Sequence, residues 1–313
     1  MPVKPLAIAA LLLLPLSVAV FDLSIGATVV LTLAVLATLW FDVLSGLASR
    51  QKDAPYRLET ISVSHFAEKV RWCLDRLGVD YVEDVWPGTV GAYYLGRTVP
   101  RLHVRTGAVW SRIGNSPEIL RFLWAQHASD DGAGFLEPTP ERLQLEKRLD
   151  RAGSMLQIWV YYHILDDTDL TVRAWGVNDP AVPAWKRQLV RLLVPVQRAL
   201  IRRTFRISTA NYQRACEFIE DTWSDIETRL SDGRLSILGG NGSNYTDYHF
   251  AAMTGAWLQP DGYAGQRGEY VRLERLPGAM ADDVDRWKQD YPKSVAFTER
   301  LYAHRQAPGG EAP

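Results

Sequence analysis

The chain has 313 residues, 47% of them hydrophobic, which is enough for two domains with separate cores. Its 35 basic and 36 acidic side chains leave a formal charge of −1, so nothing global draws it to nucleic acid. Only two cysteines, Cys73 and Cys216, stand far apart, which argues against a disulfide framework or a cysteine zinc site and for a reducing compartment.

Residues 5–41 carry one charged side chain, Asp22, which divides them into apolar runs 5–21 and 23–41. Each run approaches the roughly 20 residues that span hydrocarbon. Lys4 precedes the pair, and Arg50 and Lys52 follow it. The pattern predicts a transmembrane helical hairpin over 1–49 with both ends and the later domains in the cytoplasm, in contact with membrane lipid. A single anchor and a cleaved signal peptide are the rival readings. The second run speaks against cleavage, since export would still leave an anchor.

Residues 55–126 read as alternating strands and helices. A strand over 57–62 turns at Ser64-His65-Phe66 into a helix with apolar Phe66, Val70, Cys73, Leu74 and Leu77. Strands follow at 81–85, 98–104 and 108–110. A helix then starts at Asn115-Ser116-Pro117, with Ser116 as the cap candidate. The order is β-α-β then β-β-α, that of an α/β thioredoxin-like fold. Ser64 sits among unbonded amides at the positive end of a helix, which suits holding an anion or a thiolate beside a hydroxyl. Its bland alternative is an N-cap. His65 at the same helix start reads as a solvated side chain, and Lys69 and Arg71 as a solvated or domain-bridging face.

After a polar loop, residues 134–305 read as all-helical, and 306–313 as a disordered tail. A long helix over 141–165 carries Trp159, Tyr161 and Tyr162. Residues 185–206 hold Lys186, Arg187, Arg191, Arg198, Arg202, Arg203 and Arg206 and no acid, with an apolar face that fits an anionic lipid surface, kinked by Pro195. Asn244 to Asp247 has the spacing of a helix cap. The histidines are scattered, so no metal is expected.

Three segments together resemble the cytosolic-type glutathione S-transferase superfamily. Ser64-His65-Phe66-Ala67-Glu68-Lys69-Val70-Arg71 is similar to the S/C-x-x-C/S/A-x-K-V-R start of that family's first helix. Thr98-Val99-Pro100-Arg101-Leu102 is similar to its cis-proline segment, and Asn115-Ser116 to its acidic-serine pair. The resemblance covers about residues 56–305 and implies an all-α second domain with glutathione, or another small thiol, as co-substrate.

By this resemblance Ser64 activates the thiol, and His65, Phe66, Val99, Pro100, Asn115 and Ser116 surround the tripeptide. Trp159, Tyr161 and Tyr162 would flank a small hydrophobic electrophile, and a homodimer is implied. Ala67 removes a second thiol, which weakens a redox reading but not conjugation. Two positions depart from the pattern: Asn115 lacks the acid's charge, and His65 replaces proline or serine. They motivate the alternative of a catalytically silent binding or scaffold protein at the membrane. Arginine far outnumbers lysine, a bias of GC-rich bacterial genomes.

Overall fold

A computed structural model describes residues 25–47, 54–86, 99–106, 109–265, 267–272 and 276–305. The expected first apolar run, its polar turn and the C-terminal tail lie outside these residues.

The second apolar run forms α1 (Ile25–Leu47), 23 residues long, which lies beside the sheet's last strand. Its Val30, Leu33 and Trp40 are exposed. Among the described residues no helix is long and apolar enough to cross a membrane. Of the expected hairpin the described residues hold one apolar helix, its first run lying outside them. Threonines 28 and 32 interrupt its described apolar side chains, and Asp42 falls within it rather than at an end.

Four strands form one sheet: β1 (Tyr56–Thr60), β2 (Tyr81–Val85), β3 (Arg101–Thr106) and β4 (Val109–Gly114), in the order β2-β1-β3-β4. β1 runs parallel to β2, with Leu58 opposite Glu83. It runs antiparallel to β3, with Leu58 opposite Leu102. The parallel pair needs a crossover, and α2 (His65–Leu77) supplies it. Ser64 caps its start, and Gly78 ends it at φ 65°, a left-handed conformation that costs a glycine no Cβ clash. α3 (Ser116–His127) packs with α2 on the sheet through Ile119, Leu120 and Leu123, all fully buried.

The remainder is helical: α4 (Pro140–Ile164), α5 (Thr168–Ala174), α6 (Ala184–Leu192), α7 (Val194–Phe205), α8 (Thr209–Arg229), α9 (Tyr245–Leu258), α10 (Gly268–Val271), α11 (Gly278–Asp290) and α12 (Pro292–Ala303). Residues 185–206 therefore make two helices, not one kinked helix. Pro195 lies in the first turn of α7, where a missing amide hydrogen breaks no intrahelical bond.

α9 is the central pillar and is buried on nearly every side. A reciprocal cap starts it: Asn244 accepts from the Thr246 amide at 2.9 Å, and Asp247 accepts from the Asn244 amide at 2.8 Å. Tyr245, Tyr248 and Ala251 of α9 join the core beneath the sheet, while Phe250 and Met253 join the helical core. One helix thus serves both cores.

Candidate functional site

In the first turn of α2, Ser64 takes the capping role. Its Oγ accepts from the Ala67 amide at 3.3 Å, so it is the N-cap. The same residue lines a cavity of about 370 Å³ between the sheet and the helices. Capping uses an oxygen lone pair and leaves the hydroxyl proton free to donate.

Val99, whose bond to Pro100 is cis, lines the same cavity. The Pro100 carbonyl accepts from the Asn115 amide at 3.2 Å, tying this turn to the start of α3. Asn115, not Ser116, takes the cap position. Its φ of 72° is in the left-handed region that asparagine tolerates, and its side chain makes no cap bond. Ser116 is the first helical residue, 1% exposed, and among the described residues its Oγ has no hydrogen-bond partner. An unpaired buried hydroxyl beside helix-start amides is fitted to a carboxylate.

His65 corrects the expectation of a solvated side chain. It is buried against α4, and a Cβ on Gly153 would come within 2.8 Å of both its Nε2 and the Phe66 ring. Only a glycine there lets α4 approach so closely. Burial, with the nearby Lys69 ammonium adding repulsion, pushes the His65 pKa down to about 3, so the ring is neutral at physiological pH. The Phe66 ring packs tilted against it, centroids 4.3 Å apart. Both residues press the helix start onto α4 and so position Ser64.

Lys69 bridges to the helical domain. Fully buried, it meets Asp150 at 3.0 Å and Glu146 at 3.7 Å, with His249 Nδ1 at 3.4 Å. Arg71, also fully buried, binds Glu68 at 2.9 Å and Glu83 at 2.6 Å, and Arg305 from the C-terminal end reaches Glu68 as well. Lys69 meets the domain-bridging half of the expectation, and the solvated half is corrected for both cations: buried charges need partners, and each has two carboxylates. These networks hold the α2 helix; neither cation lines the cavity.

The cavity walls are apolar: Ile61, Val63, Leu156, Val160, Tyr161, Ile164, Phe205 and Met280 among them, with Gln157, Thr204 and Gln259 as polar points. Among the described residues no charged side chain lines it. Of the three aromatics expected here, Tyr161 lines the cavity. Trp159 does not. It is fully buried in the helical core, donating from Nε1 to Asp283 at 2.8 Å. Tyr162 is also turned away and stacks on Tyr212 at 4.2 Å.

The helical period explains the split. Leu156/Gln157, Val160/Tyr161 and Ile164 recur every three to four residues and share a face, whereas 159 and 162 fall on others. That spacing was readable in the sequence. The contributions of Trp175, Thr204 and Phe205 were not, because α5 and α7 reach the cleft only through tertiary packing. Among the described residues no group of histidine, cysteine, aspartate or glutamate could hold a metal.

No family model matches the chain, and no curated protein matches it. Solved structures do. The glutathione transferase GSTFuA3 from Phanerochaete chrysosporium superposes with a TM-score of 0.50 at 11% identity, covering 80% of this chain and 97% of its own. A glutathione S-transferase from Methylobacterium radiotolerans, in complex with glutathione sulfonate, scores 0.49 at 17% identity over 82% and 97%. Ure2p in complex with glutathione scores 0.45 at 12% identity over 84% and 94%. Together with the sheet order and the helical second half, the first of these makes the fold that of the glutathione transferases: a thioredoxin-like α/β domain followed by an all-helical domain.

Proposed function

We propose that the protein is a glutathione transferase-like enzyme that joins a small thiol to a neutral hydrophobic electrophile. The observation that carries this is the shared wall: Ser64 at a helix start and Val99 before a cis proline line one apolar cavity that no charged side chain among the described residues enters. The unpaired Ser116 hydroxyl supports the fit of a tripeptide carboxylate.

When bound, glutathione supplies the sulfur nucleophile. The chain's residues hold and polarise it. Ser64 donates its hydroxyl proton in a hydrogen bond to the sulfur, which with the positive end of α2 favours the thiolate. Val99 offers backbone N–H and C=O to the cysteinyl portion, and Ser116 with the α3 amides receives the γ-glutamyl carboxylate. The apolar walls exclude water and hold the acceptor carbon near the sulfur. The two cysteines are free thiols, and burial raises the Cys73 pKa to about 12 and the Cys216 pKa to about 11, so neither competes as a nucleophile.

A silent binding protein is the second reading, and Asn115 favours it: where the resemblance expects an acid for the γ-glutamyl ammonium, the side chain is neutral. Calorimetric titration of glutathione, with turnover of a chromogenic aryl halide, separates the two. The transferase reading expects saturable binding, weakened about tenfold by Ser116→Ala. It expects Ser64→Ala to lower kcat/KM on the order of a hundredfold with little change in affinity. Binding without turnover selects the silent protein, and no binding at millimolar glutathione rejects the glutathione site.

A further inference from the structure

The strongest unassigned feature is the outer surface of α6 and α7. Leu192 is 76% exposed, Val196 48% and Trp185 44%, an apolar group rare on a water-facing helix pair. At 100° per residue, Val196, Ala199 and Arg203 share one face of α7, while Val194, Ile201 and Phe205 share the opposite one. The inner face is packed: Val194 and Ile201 are buried, and Phe205 lines the cavity with its ring 5.7 Å from that of Tyr161. The outer face is bare.

Charge surrounds this apolar group. Residues 184–206 contain seven cations and no acid. Lys186 is neutralised by Asp84 at 2.7 Å and Arg202 by Asp166. Arg191 and Arg198 meet only neutral oxygens, those of Asn178 and Thr168. Arg187, Arg203 and Arg206 pair with no carboxylate among the described residues. Arg198 is half-buried toward the packed face, so four cations, Arg187, Arg191, Arg203 and Arg206, are left uncompensated around three exposed apolar side chains, one of them a tryptophan, a residue enriched at membrane interfaces.

We infer that the outer face of α6 and α7 docks on an anionic lipid surface, with Trp185, Leu192 and Val196 entering the headgroup region and the arginines meeting lipid phosphates. The same α7 then has lipid on one side and the acceptor cavity on the other. An apolar acceptor dissolved in the bilayer is thereby brought beside the thiol site. This last step rests on the proposed transferase reading; the docking itself does not.

The test is flotation of the full chain with vesicles of phosphatidylcholine, alone or with 30% phosphatidylglycerol. Neutral vesicles report what exposed apolar residues of α1 contribute, and the increment caused by phosphatidylglycerol reports the basic face. That increment should vanish at high salt and fall on the order of a hundredfold in Arg191→Glu/Arg203→Glu/Arg206→Glu, since each cation near an anionic surface contributes about fivefold. Leu192→Ser, a single exposed change, should weaken binding to the same vesicles severalfold.

An increment equal in wild type and triple variant overturns the docking face. So does a wild-type dimer in sedimentation velocity that the triple variant loses, which would assign the face to a second copy. Calorimetry keeps the two proposals apart: lipid binding without glutathione binding leaves the docking standing and rejects the transferase.

Discussion

At the scale of single residues, His65 shows how burial rewrites an ionisable group. Its folded pKa of about 3 lies below the ordinary value near 6.5, so the folded state disfavours the proton. The contribution to stability is full above pH 6.5 and is lost as pH falls from there toward 3, because the unfolded chain binds the proton first. At pH 5 the loss is on the order of 2 kcal/mol. His249, fully buried beside Lys69, is shifted the same way. Melting temperature should therefore drop between pH 7 and 4.5, and His65→Phe should flatten the drop. A slope unchanged in that variant would mean the ring is already solvated. The histidine was visible in the sequence, but its burial was not, since that depends on Gly153 from a helix nearly ninety positions away.

At the scale of elements, the docking of α2 onto α4 decides where Ser64 stands. Gly153 permits the approach, and Lys69 fastens it through Asp150 and Glu146. Lys69→Met should cost about 3 kcal/mol in urea unfolding, because it leaves carboxylates facing a low-dielectric interface. The cost is moderated because Asp150 is partly exposed and Glu146 keeps Arg121 at 2.9 Å. Adding Asp150→Asn should recover part of the loss, whereas equal stability of Lys69→Met and wild type would show the bridge to be dispensable. The α2 pattern itself was legible: a capping serine, apolar positions at helical spacing and a terminating glycine are all local. The partners of Lys69 and Arg71 were not, since Asp150 and Glu83 come from other elements.

At the scale of the molecule, the sheet and the helical half share one interior through α9. Tyr245, Tyr248 and Ala251 lie in the core under the sheet, and α12 adds Tyr302. Two domains so joined should unfold in one transition, with tryptophan fluorescence and circular dichroism coincident in urea. Separated midpoints would show that the sheet domain melts independently.

The sequence by itself determined the β-α-β then β-β-α order of the first domain and the helix caps at Ser64 and Asn244. These follow from periodicity and turn chemistry within a few residues, while the family resemblance alone set Ser64 and Val99 on one thioredoxin-like frame. It also put Tyr161 near the cleft, but with Trp159 and Tyr162 beside it, because an aromatic-rich helix does not announce which face meets which neighbour. Only the tertiary structure decided that Trp159 belongs to the core, that His65 is buried and neutral, and that α5 and α7 wall the cavity. Each of those outcomes depends on surfaces brought together from distant parts of the chain, where burial and close approach, rather than local propensity, set the free energy.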